Sequence, residues 1–359
     1  MVAVRLLAVL IVAIIGGNGL RNARVASRNI HLSMGTALEG VKNLRDLSTA
    51  ITTETSDLGV GITHGRVIRT GCPSKATEKD RKYLLEECGL KDLIDLRSPK
   101  EWRQDENLFR NPMYDGYKNY RFSRMARNWI KLDGNTTQFN IFTGSGLEEA
   151  DDMSASQKKQ NRRYFVPLMN TRRIMWGTFK RFRKRTKLLF LPLTLLSVFS
   201  KRAKKRLRGL FIDKLNGGGL SLLNEILLDS SGHEIVAVMK LLSTNEDRRA
   251  ALYCTAGKDR TGLIVALTLS VLGASDNDII TDYVKSDGAY ANINSKEAMV
   301  MAMEQKDIDP DVFLRAPSYV MRDTLSYVRQ RYGGVNKYLN SYGFNDVWQN
   351  KLRNNLLFS

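Results

Sequence analysis

Cysteine and histidine are scarce in this chain of 359 residues, with three of each. Cys72, Cys88 and Cys254 are too few for a disulfide framework, and nothing in the sequence demands a Cys72–Cys88 bridge. His31, His64 and His233 lie apart, without the spacing of metal ligands, so no metal and no cofactor is expected. Internal repeats are absent, which excludes a solenoid. No apolar run reaches the roughly twenty residues that a membrane-spanning helix needs. Acidic residues are missing from one long stretch. Residues 172–208 hold fourteen Lys and Arg and no Asp or Glu, and so supply most of the net charge of +19.

What is present is more specific. Hydrophobic residues make up 43% of the chain, enough for a substantial core. One run, Cys254-Thr255-Ala256-Gly257-Lys258-Asp259-Arg260-Thr261-Gly262, sets a cysteine and an arginine six positions apart. An apolar stretch at 250–253 precedes it and suits a buried strand; residues 263–272 follow and suit a core helix ending at Gly273. A strand, a glycine-containing loop and a helix N-terminus together make an anion-binding nest. In that layout the amides of residues 255–260 face a phosphate, and Arg260 grips two of its oxygens with a planar fork. Cys254 is the nucleophile, as a thiolate favoured by the helix N-terminus and by the positive Lys258 and Arg260. A nucleotide P-loop fits worse, because Asp259 stands where Ser or Thr is required and Leu252 where Gly is required.

The run resembles the phosphate loop of the tyrosine-phosphatase-like family of cysteine-dependent phosphatases, His-Cys-x-Ala-Gly-Lys-Asp-Arg-Thr-Gly. Other segments resemble the same family: an opening strand at 65–71 with Arg69 near its end, a helix at 77–87 capped by Thr77 and Asp80, a second strand at 90–98 ending Asp95-Leu96-Arg97-Ser98, and helices at 279–288 and 332–343. The fold class expected is therefore α/β and dual-specificity-phosphatase-like. A central, mainly parallel sheet is flanked by helices and carries a basic helical insertion. The resemblance covers residues 59–357, with a basic, partly apolar insertion or lid at about 150–210.

The resemblance implies hydrolysis of phosphomonoesters through a phosphocysteine. The loop residues Thr255, Ala256, Gly257, Lys258, Asp259 and Arg260 bind phosphate, and the Thr261 hydroxyl assists the departing Cys254 sulfur. The family's relatives of this type lack the acid-bearing Trp-Pro-Asp loop, and no such tripeptide occurs here. Asp259 is then the first candidate for the general acid, with Asp95 a second acid or a structural partner of Arg97. Tyr253 stands where the family has histidine. It carries no positive charge, although its hydroxyl can still donate to the loop backbone, so activity is expected to be lowered without being abolished. The substrate expected is a phosphorylated protein, tyrosine-directed or dual-specificity. A phosphoinositide is the alternative, since Lys258 also matches the second lysine of phosphoinositide 3-phosphatase loops. A catalytically silent phosphate- or membrane-binding module is the third reading.

Two further segments bear on location. Residues 1–20 carry one arginine, about twelve apolar residues and then small ones, the pattern of a signal peptide or signal anchor. With the Asn135-Thr136-Thr137 sequon this suggests the secretory pathway, or an organelle reached through it, against a cytoplasmic alternative. Residues 21–58 read as a linker or N-terminal extension. In the basic segment, Lys180, Arg181, Arg183, Lys184 and Arg185 precede an apolar stretch at 188–199, and Lys201, Arg202, Lys204, Lys205 and Arg206 follow it. These are candidate contacts to an anionic membrane. Packing over the phosphatase domain is the alternative, and nucleic acid is disfavoured because no aromatic residues are arranged as stacking platforms. The oligomeric state is not legible.

Overall fold

The computed structural model describes residues 38–50, 61–107, 110–132, 160–244, 248–287 and 313–358. The N-terminal apolar segment and the Asn135 sequon lie outside them. The chain forms β1 (Arg45–Asp46), β2 (Gly61–Ile62), β3 (Val67–Thr70), α1 (Glu78–Lys82), β4 (Leu90–Asp95), α2 (Pro99–Gln104), β5 (Lys118–Ser123), β6 (Asn128–Leu132) and β7 (Arg162–Phe165). Three helices follow: α3 (Thr171–Lys180), α4 (Lys184–Phe199) and α5 (Lys201–Ser230). Then come α6 (Gly232–Thr244), β8 (Arg249–Tyr253), α7 (Asp259–Leu272), α8 (Asp276–Val284), α9 (Ser318–Tyr332), α10 (Val335–Ser341), α11 (Asp346–Leu356) and β9 (Leu357–Phe358).

Seven strands make one sheet in the order β1-β3-β8-β4-β7-β5-β6. The five inner strands are parallel, and β1 and β6 close the edges antiparallel. This is the expected α/β fold with a mainly parallel sheet. Strands covered on both faces read as continuous apolar runs, and Ala250, Ala251, Leu252 and Tyr253 of β8 are all buried. The register brings Thr70, Tyr253, Asp95 and Phe165 level with one another. Four strands therefore end at one edge, the side on which open α/β sheets receive ligands.

Local chemistry sets the element boundaries. Thr77 accepts from the Asp80 backbone at 3.2 Å while Asp80 accepts from the Thr77 backbone at 3.0 Å, a reciprocal cap that starts α1. The second strand stops at Asp95, three residues short of the expected Ser98. The Arg97 amide turns back onto the Asp95 carboxylate at 3.1 Å, and Ser98 becomes the cap of α2. The core helix begins earlier than residue 263, because loop residues from Asp259 form its first turn. It ends at Gly273 as expected. The helix expected at 332–343 is shorter, since Gly333 ends α9 with φ of +76°. Residues 38–50, part of the 21–58 stretch expected to be a linker or N-terminal extension, supply β1, which pairs with β3.

The chain divides into two compact units. The larger holds the sheet, α1, α2 and α6–α11. The smaller holds α3, α4 and α5, around a core of Met175, Phe190, Leu207 and Phe211. Within α5, Gly219 leaves helical geometry at φ +55°, so the helix bends there.

Candidate active site

Cys254 leaves the end of β8 buried, and the next residues wrap into the first turn of α7. The loop carbonyls are tied outward one after another. Thr255 O accepts from the Cys72 amide at 3.1 Å, and Ala256 O and Gly257 O each accept from Asn43 Nδ2 at 3.0 Å. Gly257 O also accepts from Arg69 Nη2 at 2.9 Å, and Lys258 O accepts from the Gly262 amide at 2.7 Å. In a planar trans peptide the N–H points opposite to the C=O. Holding three successive carbonyls on neighbouring segments and the fourth in the first turn of α7 therefore turns the amides of residues 256–259 the other way. That is a nest for an anion, built at a helix N-terminus.

Gly257 is indispensable to this geometry. Its φ is +65°, and a Cβ there would sit 2.2 Å from Thr70 O. Arg69, fully buried, ion-pairs with Asp282 of α8, which also accepts from Arg45 Nε at 2.9 Å. Burial alone would raise the Asp282 carboxyl, but the two guanidinium groups outweigh it and hold it below the ordinary range.

Arg260 is delivered by the first turn of α7 and held by Glu101 of α2 in a two-pronged ion pair, at 2.6 and 2.7 Å. The same carboxylate accepts from the Thr255 hydroxyl and, at 2.8 Å, from the Ser98 amide. Burial opposes charge at both partners. Arg260 nonetheless pulls the Glu101 carboxyl below its ordinary range, and the Glu101 carboxylate holds Arg260 above its own. Glu101 is a positioning residue that sequence reasoning missed. The Ser98-x-x-Glu101 cap was readable, but its second duty to a residue in a distant segment was not.

The other expected residues sort as follows. Asp259 is partly exposed, and its Oδ1 accepts from the Tyr283 hydroxyl at 3.3 Å and lies 3.3 Å from Lys258 Nζ. The Lys258 side chain is buried and donates to Arg315 O at 2.6 Å, so its amide belongs to the nest while its ammonium is turned to the protein. The Thr261 hydroxyl is buried without a hydrogen-bond partner, so the bond expected to the Cys254 sulfur is not formed. Asp95 is fully buried, accepting from Arg97, from Arg163 Nη2 at 2.9 Å and from the Tyr253 hydroxyl at 3.0 Å. Burial would raise its carboxyl, but Arg97 and Arg163 bring it down to about 2. Its buried ion pairs with Arg97 and Arg163 are the arrangement expected of the structural partner. Tyr253 faces this cluster rather than the loop backbone, and Arg163 Nε donates to it at 3.0 Å. Burial pushes its phenol up and keeps it neutral. Cys72 and Cys88 are free thiols.

Of the ten basic residues considered for a membrane, nine are exposed. Arg181 is withdrawn, bridging Glu225 at 3.1 Å and Asp229 at 2.9 Å.

Comparison with known proteins gives three findings. A family model described as "Tyrosine phosphatase family" matches residues 36–191 and 199–358. The triple specificity protein phosphatase PtpB of Mycobacterium tuberculosis is 30% identical over 122 residues, 31% of this chain and 44% of that protein. A protein of Cupriavidus necator named as a tyrosine-protein phosphatase is 42% identical over 50 residues, 14% of this chain and 18% of its own. The chain thus spans less than half the length of these relatives.

Proposed function

The chain belongs to the tyrosine phosphatase family, and from that premise we propose that it is a protein phosphatase acting through a phosphocysteine. The observation that carries this reading is the outward anchoring of three successive loop carbonyls, leading into the first turn of α7, around a buried cysteine, with Arg260 aimed by Glu101. Phosphoryl transfer asks for little covalent chemistry from the protein beyond positioning and charge stabilisation.

In the first step the Cys254 thiolate attacks phosphorus in line. The S–P bond forms as the P–O bond to the substrate breaks, and the leaving oxygen takes a proton from Asp259. The inward amides and the Arg260 fork stabilise the equatorial oxygens, where charge accumulates. In the second step water attacks phosphorus, its proton passes to the Asp259 carboxylate, and the S–P bond breaks to restore the thiolate. Asp259 takes the acid role because it is the partly exposed carboxylate of the loop itself, whereas Asp95 and Glu101 are engaged in ion pairs with arginines.

A phosphoinositide is the second substrate reading. The dense positive charge at 172–208 favours it. The Lys258 ammonium no longer argues for it, being engaged by Arg315 O. The N-terminal segment keeps a route through the secretory pathway as part of the proposal.

The test is phosphate release by the purified chain from a small aryl phosphate, phosphotyrosine and phosphoserine peptides, and phosphoinositide vesicles, with Cys254→Ser alongside. Turnover lost in the variant supports the thiolate mechanism, and the preferred substrate decides between protein and lipid. A folded protein that binds vanadate or phosphate but turns over nothing across pH would mean a silent binding module.

A further inference from the structure

Beyond its basic first turn, helix α4 is mostly apolar from Leu188 to Phe199, and a whole side of that stretch is exposed. Phe190, Leu193, Thr194 and Ser197 face the smaller unit's interior. Phe190 fixes the rotation of the helix, with its ring 5.0 Å from Phe179, 5.0 Å from Phe182 and 5.1 Å from Phe211. At 100° per residue, the opposite side gathers Leu188, Leu189, Pro192, Leu195, Leu196 and Phe199 into one stripe. All six are exposed, Leu188 at 77% and Phe199 at 91%. Most of the exposed large apolar side chains among the described residues lie on this one helix. A monomer surface rarely carries so concentrated a patch without a use for it.

Charge says what kind of surface covers it. The first turn of α4 places exposed Lys184 and Arg185 at the start of the stripe. The first two turns of α5 place exposed Lys201, Arg202, Lys204, Lys205 and Arg206 just past its end. No acidic residue occurs from 172 to 208. Twelve residues of helix cover about 18 Å, short of the ~30 Å hydrocarbon core. No helix among the described residues is long and apolar enough to cross a membrane. With positive charge at both ends, both ends must stay at the headgroup level, so the helix lies flat. Long Lys and Arg side chains can then reach anionic headgroups while the stripe enters the acyl boundary.

We propose that the outer face of α4, with its basic flanks, docks the protein on anionic lipid bilayers. This goes beyond the phosphatase reading and does not depend on it, because its readout involves no catalysis.

The experiment uses the full chain and vesicles of phosphatidylcholine with or without 30% phosphatidylglycerol. Residues 6–17 are also apolar, so binding alone would not assign the contact. Phe199→Trp therefore serves as a local reporter. Its emission, taken as the difference from wild type, is expected to shift to the blue on anionic vesicles and to be quenched by brominated lipid. Leu195→Glu with Phe199→Glu, and separately Lys204→Glu with Lys205→Glu, are each expected to weaken partition by roughly tenfold or more. Added salt should weaken wild-type binding. All these side chains are exposed, and unchanged thermal unfolding would verify that the variants fold. A reporter unmoved by anionic lipid overturns the proposal, as does equal partition of wild type and variants. Self-association abolished by the Leu195→Glu, Phe199→Glu pair, without any lipid response, would also overturn it and assign the face to a second copy.

Discussion

Arg260 stands six positions from Cys254, yet the group that aims it comes from 159 positions away. Glu101 accepts four hydrogen bonds at once, from Arg260 twice, from Thr255 and from the Ser98 amide. Changing Glu101 to Gln keeps the shape and an acceptor for Ser98 but removes the charge that holds the guanidinium. Hydrogen bonds to charged groups contribute roughly 1.5–3 kcal/mol. The expected outcome is a loss of about 10- to 100-fold in kcat/KM on an aryl phosphate, with the unfolding midpoint little changed. If the loss lies in kcat, Arg260 is being aimed at the transition state; if it lies in KM alone, Glu101 only helps to bind the ground state. Kinetics indistinguishable from wild type would remove Glu101 from the machinery. At this scale the sequence was informative only where chemistry is local. Cys254, Arg260 and the nest could be read from one run of nine residues. Asn43, Glu101 and Arg163 could not, because their partners are set by strand order. The positions of Tyr253 and Asp95 were readable, but the direction of the Tyr253 hydroxyl was not.

At the scale of elements, the strand, loop and helix around Cys254 were legible because each is short and has its own signal: an apolar run, a glycine-bearing loop and a glycine stop. What could not be read is how tightly β3 supports the loop. Residues 254–258 rest on the end of β3 through Arg69, and a Cβ at position 257 would meet backbone atoms Thr70 O, Thr70 C and Gly71 N, none of which can swing aside. Gly257→Ala therefore has to lift the loop off β3 and also adopt a positive φ that alanine disfavours. Turnover is expected to fall by more than about a hundredfold, since misplacement near 1 Å is enough for that. The sheet itself should survive, with cooperative unfolding retained. Near-normal turnover in Gly257→Ala would mean that the outward anchoring of the loop carbonyls is not what makes the site. The β1 segment teaches the complementary lesson: two residues carry no readable strand period, and only pairing with β3 makes them a strand.

For the whole molecule, the excess of basic residues works in two ways. On α4 and α5 it is exposed. Inside the larger unit, arginines neutralise carboxylates that are buried or half-buried: Arg97 and Arg163 at Asp95, Arg69 and Arg45 at Asp282, and Arg260 at Glu101. Each of these carboxyls is held below its ordinary range, Asp95 at about 2. A carboxyl with a lower pKa folded than unfolded binds protons more readily in the unfolded chain, so acid favours unfolding. Its stabilisation is complete above the unfolded value near pH 4 and disappears as the pH falls towards about 2. For Asp95 the difference corresponds to roughly 2–3 kcal/mol. The unfolding midpoint is thus expected to be level with respect to these three groups at neutral pH and to drop steeply below about pH 4. Asp95→Asn leaves Arg97 and Arg163 with less compensation and should destabilise the neutral protein by about 3–5 kcal/mol. It should also flatten the acid limb, because one of the titrating groups is gone. Thermal or urea unfolding of both proteins from pH 7 down to pH 2 measures each effect. Parallel curves would mean that Asp95 does not carry the acid sensitivity, and that the ion cluster behind β8 contributes packing rather than charge.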